Sequence, residues 1–181
     1  MSWQILKQTV LHDSSWLRLL LEHVRLPNGV EIEDFYRIEM TPYVMMFAVD
    51  RKGRVAMVEH YKHGPHQVSL ELPAGYIEED DPLETAKREL LEETGLASED
   101  WVYLGKYFKD GNRGCGWVYG FLARNADLVG ETHHEATEIM TIHFKPLDEV
   151  YNLWRSGEIN NVSSLGIIGR SLLELGYLQK A

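Results

Sequence analysis

The chain has 181 residues, 44% of them apolar, and a formal charge of −10. That is enough for one domain with a real core, one that removes about two-thirds of the unfolded surface from water. The acidic balance argues against a broad nucleic-acid or anionic-membrane surface, which needs a basic patch; it leaves a phosphate substrate open, because a bound cation reverses the local sign.

The first ten residues, MSWQILKQTV, contain no apolar stretch of the signal-peptide kind. Residues 3–11 read as a strand through Ile5, Val10 and Leu11, and Asp13-Ser14-Ser15 as a turn. Residues 17–26 fit a helix or a strand by periodicity. Asn28-Gly29 decides for a strand, because that dipeptide marks a type I′ hairpin, with a return strand through Val30, Ile32 and residues 35–38. A small antiparallel extension over residues 1–38 is therefore expected ahead of a larger domain over 39–181. Trp3, Trp16, Phe35 and Tyr36 on that extension suit either stacking on a base or packing in a core.

Pro42 opens a strand over 43–49. This is also the region of the longest apolar run, far too short to span a bilayer. Asp50-Arg51-Lys52-Gly53 is a turn, residues 55–61 alternate as a strand, Gly64-Pro65 breaks the chain, and residues 68–72 form the next strand. Strands are predicted near 101–106 and 117–123, with a mobile glycine loop over 110–116 between them. The single Cys115 lies in that loop; one cysteine excludes an intrachain disulfide and fits a reducing compartment such as the cytoplasm. A strand over 139–144 precedes a helix over 146–155 with Leu147, Val150, Tyr151 and Trp154 on its apolar stripe, capped by Gly157. Asn161 starts a last helix with Val162, Leu165, Ile168, Leu172 and Leu175 at helical spacing, ending at Gly176. The sum is a mixed sheet between helices.

The informative stretch runs from Leu70-Glu71-Leu72-Pro73-Ala74-Gly75 to Leu96. Asp81 is a plausible N-cap, Pro82 fits the first helical position, and Glu84 is spaced for a capping box with Asp81. Gly95 suits the left-handed C-terminal stop. On the helix between them Leu83, Ala86 or Lys87, Leu90 and Thr94 form the core stripe. Glu89, Glu92 and Glu93 project from neighbouring positions, so their repulsion opposes the helix by a few tenths of a kcal/mol per pair. Arg88 offsets part of it, and a divalent cation would offset far more, since hard ions prefer clustered carboxylates. The plain alternative is a solvated, salt-bridged surface helix.

Gly75 followed by Arg88-Glu89-Leu90-x-Glu92-Glu93-x-Gly95-Leu96 resembles the box of the Nudix hydrolases, G-x5-E-x7-R-E-U-x-E-E-x-G-U with U apolar. The second half matches at every specified position. In the first half one residue is missing from the loop before Asp81, so the first glutamate of the box falls on Asp80. "LELPAG", the preceding "VEHYKHG", the N-terminal extension and the ending "FKPLDEVYNLWRSGEINN" resemble the ADP-ribose pyrophosphatase branch. This likeness implies an α/β/α sandwich and hydrolysis of a nucleoside diphosphate compound with magnesium or manganese.

Carried over position by position, the resemblance makes Glu89, Glu93 and the Ala74 carbonyl metal ligands. Glu92 binds a second ion or bridges through water, and Arg88 orients the glutamates. It also implies a general base or further ligand from the loop over 131–138, with Glu138 first and Glu135 second. Pyrophosphate hydrolysis needs the phosphate charge neutralised, a water activated and the leaving phosphate stabilised, and divalent ions serve all three. Adjacent His133 and His134 point in different directions and do not make a zinc site.

Glu71, before the turn, suits hydrogen bonds from a base or ribose, or a strand-neighbour pair. Where the branch often has an arginine after its "QY", this chain has Tyr61-Lys62, a point charge in place of a bidentate fork. Arg113 is an alternative phosphate contact. The proline that the branch carries beyond the box is absent near Gly111 and Asn112. Sugar nucleotides, dinucleotide cofactors and damaged nucleotides therefore stay open as substrates, as does a non-catalytic nucleotide sensor. By the same resemblance the extension pairs with a second subunit in a homodimer.

Overall fold

The computed structural model describes residues 2–78, 81–133, 137 and 139–178, in two compact units. The first comprises Met1–Pro42 and Tyr107–Val118. Its strands β1 (Gln4–Asp13), β2 (Leu17–Arg25) and β3 (Glu31–Met40) form an antiparallel meander. Leu20, Glu22 and Val24 of β2 are buried, as one face of a strand of period two should be. Buried Glu22 is satisfied by Arg37 at 2.9 Å.

The β2–β3 turn differs from the expected type I′. Gly29 N–H bonds to Leu26 O, Leu26 N–H bonds to Val30 O, and only the glycine has positive φ, at 88°. This is a three-residue loop with a type I turn followed by a left-handed glycine. Pro27 is the reason: a two-residue turn at Asn28-Gly29 would pair Pro27 with Val30, and Pro27 has no N–H to donate, whereas its fixed φ suits the first central position of a type I turn.

The glycine loop is also different. β9 (Asp100–Asp110) and β10 (Gly114–Leu128) are long strands, and only 111–113 turn between them. Asp110 Oδ1 accepts the N–H groups of Asn112 and Arg113, closing the turn with its own side chain. Gly114 and Gly116 belong to the strand. A Cβ on Gly114 would stand 2.8 Å from the Ile38 carbonyl, its partner in a parallel pair, so the glycine permits close approach rather than mobility.

The second unit comprises Tyr43–Lys106 and Tyr119–Ala181. Strand β4 (Tyr43–Asp50) is its axis. Val44, Met46 and Ala48 face one way, into a core with Ala86 and Leu90 of helix α1 (Pro82–Thr94). Met45 faces the other way, its sulfur 3.6 Å from Ser164 Oγ of helix α3 (Val162–Glu174). Strand alternation thus places one helix on each face, giving the α/β/α sandwich. Around β4 lie β5 (Arg54–Lys62), β6 (Gln67–Glu71), β7 (Ala74–Tyr76), the short β8 (Leu96–Ala97), β11 (Met140–Pro146) and helix α2 (Leu147–Ser156). Asn161 caps α3 as expected, accepting Ser164 N–H at 3.1 Å.

The buried face of α3 keeps Ile168 and Leu172 of the expected stripe but is otherwise rotated from it. Val162 is 79% exposed, while Ser164, Ile167, Ile168, Ser171 and Leu172 are buried. Serines fit the core because their hydroxyls are bonded: Ser171 Oγ to Ile167 O, while Ser164 Oγ accepts Leu72 N–H.

Candidate functional site

Helix α1 begins where the sequence indicates. Asp81 accepts Leu83 N–H at 2.8 Å, Pro82 opens the helix, and Gly95, at φ 73°, closes it with its N–H on Leu91 O. The capping box does not form as expected, because Glu84 pairs with Lys87 at 2.8 Å. Ala86, Leu90 and Thr94 are buried; of the other two candidates for the stripe, Leu83 is partly buried and Lys87 turns outward to Glu84.

That rotation aims two of the three acids at the turn between β6 and β7. Glu93 is only 6% exposed, and its Oε2 accepts Ala74 N–H at 3.0 Å. Glu89 lies across Gly75: a Cβ there would stand 2.0 Å from Glu89 Cδ and 2.3 Å from Oε2. Only glycine admits the carboxylate so close to the backbone. Pro73 O in turn accepts Met46 N–H, and Met45 pairs with Ala74, so the turn is fixed to β4.

Arg88 lies beside these acids, 2.9 Å from Glu89 and 2.9 Å from Glu92. Burial works against its charge, but the two carboxylates more than offset that and raise its pKa above the ordinary arginine value. Glu92 is half-exposed and faces Arg88.

Glu71 is buried, 3.4 Å from Lys62 Nζ and 3.6 Å from His60 Nε2. Desolvation pushes its pKa up, yet His60, Lys62, Ser69 and Asn161 outweigh it and hold the carboxylate at about 2. The structure brings Glu71 and Lys62 together as an ion pair. It places Arg113 in the other unit, where its guanidinium is 3.6 Å from Asp110. Glu135, Glu138, His134 and Asp80 lie outside the described residues.

Sequence reasoning missed His60 and Asn161 around Glu71. The cross-strand spacing of β5 and β6 was the available signal for His60, since Val58 pairs with Glu71 and His60 with Ser69. It also read Ala74 only as a carbonyl donor, whereas its N–H holds Glu93.

Among the described residues no three acidic, histidine or cysteine side chains form a ready-made metal cluster. Glu89 and Glu93 against the Ala74–Gly75 backbone nevertheless supply hard oxygen donors, which fit a divalent ion whose other ligands come from water and phosphate.

The Nudix domain family matches residues 40–162, and the nucleoside diphosphate sugar hydrolase N-terminal domain matches residues 3–38. The chain belongs to the Nudix family. It is an enzyme of the pyrophosphohydrolase kind, and enzymes of this family generally use divalent metal ions. It is 30% identical over 178 residues to a CMP-5′-(N-acetyl-N-hydroxy-3-aminopropyl)phosphonate hydrolase of Streptomyces rubellomurinus, covering 97% of this chain and 84% of that protein. It is also 30% identical over 187 residues to an ADP-ribose pyrophosphatase of Mycobacterium tuberculosis, covering 98% and 87%. A solved structure titled as an ADP compounds hydrolase superposes with a TM-score of 0.80 at 21% identity, covering 98% of each chain, which shows the fold. Among the described residues of this Nudix enzyme, no helix is long and apolar enough to cross a membrane.

Proposed function

We propose that this Nudix enzyme hydrolyses, with Mg2+ or Mn2+, the pyrophosphate of a nucleoside diphosphate linked to another moiety, with ADP-ribose, cleaved to AMP and ribose 5-phosphate, as the first candidate. The observation that carries this is the convergence of Glu89 and Glu93 on the Ala74–Gly75 turn. When bound there, a divalent ion neutralises the phosphate charge and lowers the pKa of a coordinated water. Glu89, Glu93 and the Ala74 carbonyl would hold it. Arg88 keeps Glu89 and Glu92 in place, and Glu92 adds a second carboxylate for water or a further ion. Glu138, or else Glu135, supplies the general base. Glu71 fixes Lys62 near the turn, where its ammonium meets the substrate, with Arg113 as the alternative to it.

The proposal extends to the assembly: residues 1–38 act as a dimerisation element for a catalytic domain over 39–181, in the cytoplasm. A second reading has support in the Streptomyces rubellomurinus relative, named for a CMP-linked phosphonate. The moiety beyond the diphosphate is then something other than ribose.

The test is a panel of ADP-ribose, sugar nucleotides, dinucleotide cofactors and CMP conjugates, each with both metals, run beside Glu93→Gln. AMP release from ADP-ribose that disappears in a folded Glu93→Gln supports the first reading. Turnover of a different member supports the second. Tight binding of ADP-ribose with no turnover of any member sinks both and leaves a sensor.

A further inference from the structure

After β10 the chain turns back over the end of α1, in a segment that none of the roles above uses. Val129 N–H and Gly130 N–H donate to Gly95 O at 3.0 and 3.3 Å, and His133 N–H donates to Glu92 O at 2.8 Å. Within the helix, Gly95 N–H already bonds to Leu91 O. Leu96 N–H donates to the Thr94 hydroxyl at 3.2 Å instead of continuing the ladder. The Glu92 carbonyl is among the end groups that a helix leaves without an internal partner. The segment from Val129 to His133 therefore works as a strap, bonded at both its ends to the turn that carries Glu92 and Glu93.

The helix does not need this strap in order to end. The left-handed Gly95 is a complete stop by itself, and water satisfies an end carbonyl on a half-exposed residue such as Glu92. Asparagine also serves at such a stop, but here a Cβ would stand 2.5 Å from Gly130 O. Glycine at 95 is thus needed twice, for its φ of 73° and to let the strap in. Gly75 admits the Glu89 carboxylate in the same way. The turn so held has its Glu93 carboxylate on Ala74 N–H and its Glu92 carbonyl on His133 N–H. In the sequence, Glu135 and Glu138 follow directly on the strap. Fixing the chain at His133 shortens the free run between the helix acids and those residues, and so lowers the entropy lost when they act together on a substrate.

We propose that the backbone N–H of His133 is a positioning contact for the reaction: it holds the last turn of α1, with Glu92 and Glu93, in register with the start of the segment assigned the general base. This rests on the function proposed above. The test compares His133→Pro, which removes the N–H, with His133→Ala, which removes only the imidazole. Both are assayed with magnesium on the best substrate of the diphosphate panel, well below their melting temperatures. The kcat of His133→Pro should lie at least about tenfold below that of His133→Ala, with KM within about twofold. A lower melting temperature in His133→Pro with kcat equal to that of His133→Ala marks a merely structural contact and overturns the inference. A rise in KM with no fall in kcat overturns it as well. If His133→Pro does not fold, Val129→Pro against Val129→Ala removes one of the two donors to Gly95 O at the other end of the strap. There kcat should fall at least about threefold, and equal kcat overturns the inference. A parent that turns over no member of the panel overturns the reading of the site and this inference with it, whereas an active parent with equal variants overturns the inference alone.

Discussion

The two compact units solve the problem of burial differently. In the second, β4 is covered on both faces, and Val44, Met46, Phe47, Ala86 and Leu90 are wholly removed from solvent. In the first, β1 is exposed along nearly its whole length, and Trp3, Ile5, Val10, Leu11 and Trp16 are all large apolar side chains open to water. Exposed apolar side chains of this kind suit an interaction surface, so the proposed chemistry belongs with the closed core and the proposed assembly with the open one. The contrast teaches where substitutions should separate activity from association.

The largest effect belongs to the closed unit. Glu93→Gln keeps an oxygen to accept Ala74 N–H but loses the charge. Turnover should fall about a thousandfold, ~4 kcal/mol of barrier, with a melting temperature close to that of the parent. Gly75→Ala should act the same way by another route. Its Cβ displaces the flexible Glu89 side chain, so activity falls by about two orders of magnitude while the circular dichroism melt moves little. A large drop in stability with activity retained would show that the turn supports the fold rather than the reaction.

The open unit is broken next. Leu11→Asp puts a charge on β1, where the proposed partner must sit, and should cost the association at least about 3 kcal/mol. Light scattering should then report one chain instead of two, with the fold intact. A parent protein that is already a single chain at micromolar concentration removes the assembly half of the contrast.

Much of this is legible in the sequence. The spacing Arg88-Glu89-x-x-Glu92-Glu93-x-Gly95 fixes helix, cap and acid face together, because helical period and glycine stop are local physics. What was not legible depended on partners distant in sequence. Gly114 and Gly116 looked like loop residues because the carbonyls they approach lie on β3, far away in the chain. Ser164 and Ser171 have no place in an apolar stripe, since the acceptors and donors that let them be buried are visible only after folding. Asn28-Gly29 misled about turn type because the preceding proline outweighs the dipeptide. Glu71 read equally well as a ligand contact or a paired acid, and only the approach of His60 and Lys62 distinguishes its surroundings.

Glu71 also gives a finer measure of how closed the second unit is. Its folded pKa of about 2 is below the ordinary 4.5, so its stabilisation is complete above about pH 4.5 and is lost as pH falls towards 2. The full difference is on the order of 3 kcal/mol. Urea melts from pH 5.5 down to 2.5 should show the parent losing stability faster than Glu71→Gln, which lacks the titrating group. Parallel curves would mean that water reaches this carboxylate and the interior is looser than its contacts imply.

The smallest effect tests the same closure at the start of α1. Asp81→Ala removes the acceptor for Leu83 N–H, a cap worth about 1 kcal/mol. In a unit whose helix is held mainly by Ala86 and Leu90 against β4, that loss should lower the melting temperature by a few degrees and leave the positions of Glu89 and Glu93, two and three turns further on, unchanged. KM and kcat should therefore both stay within about twofold of the parent. A selective fall in kcat would mean that the cap positions the acids and that fold and chemistry in α1 are not separable, since the packed half of the helix would then have failed to insulate its acidic half from a fault at the other end.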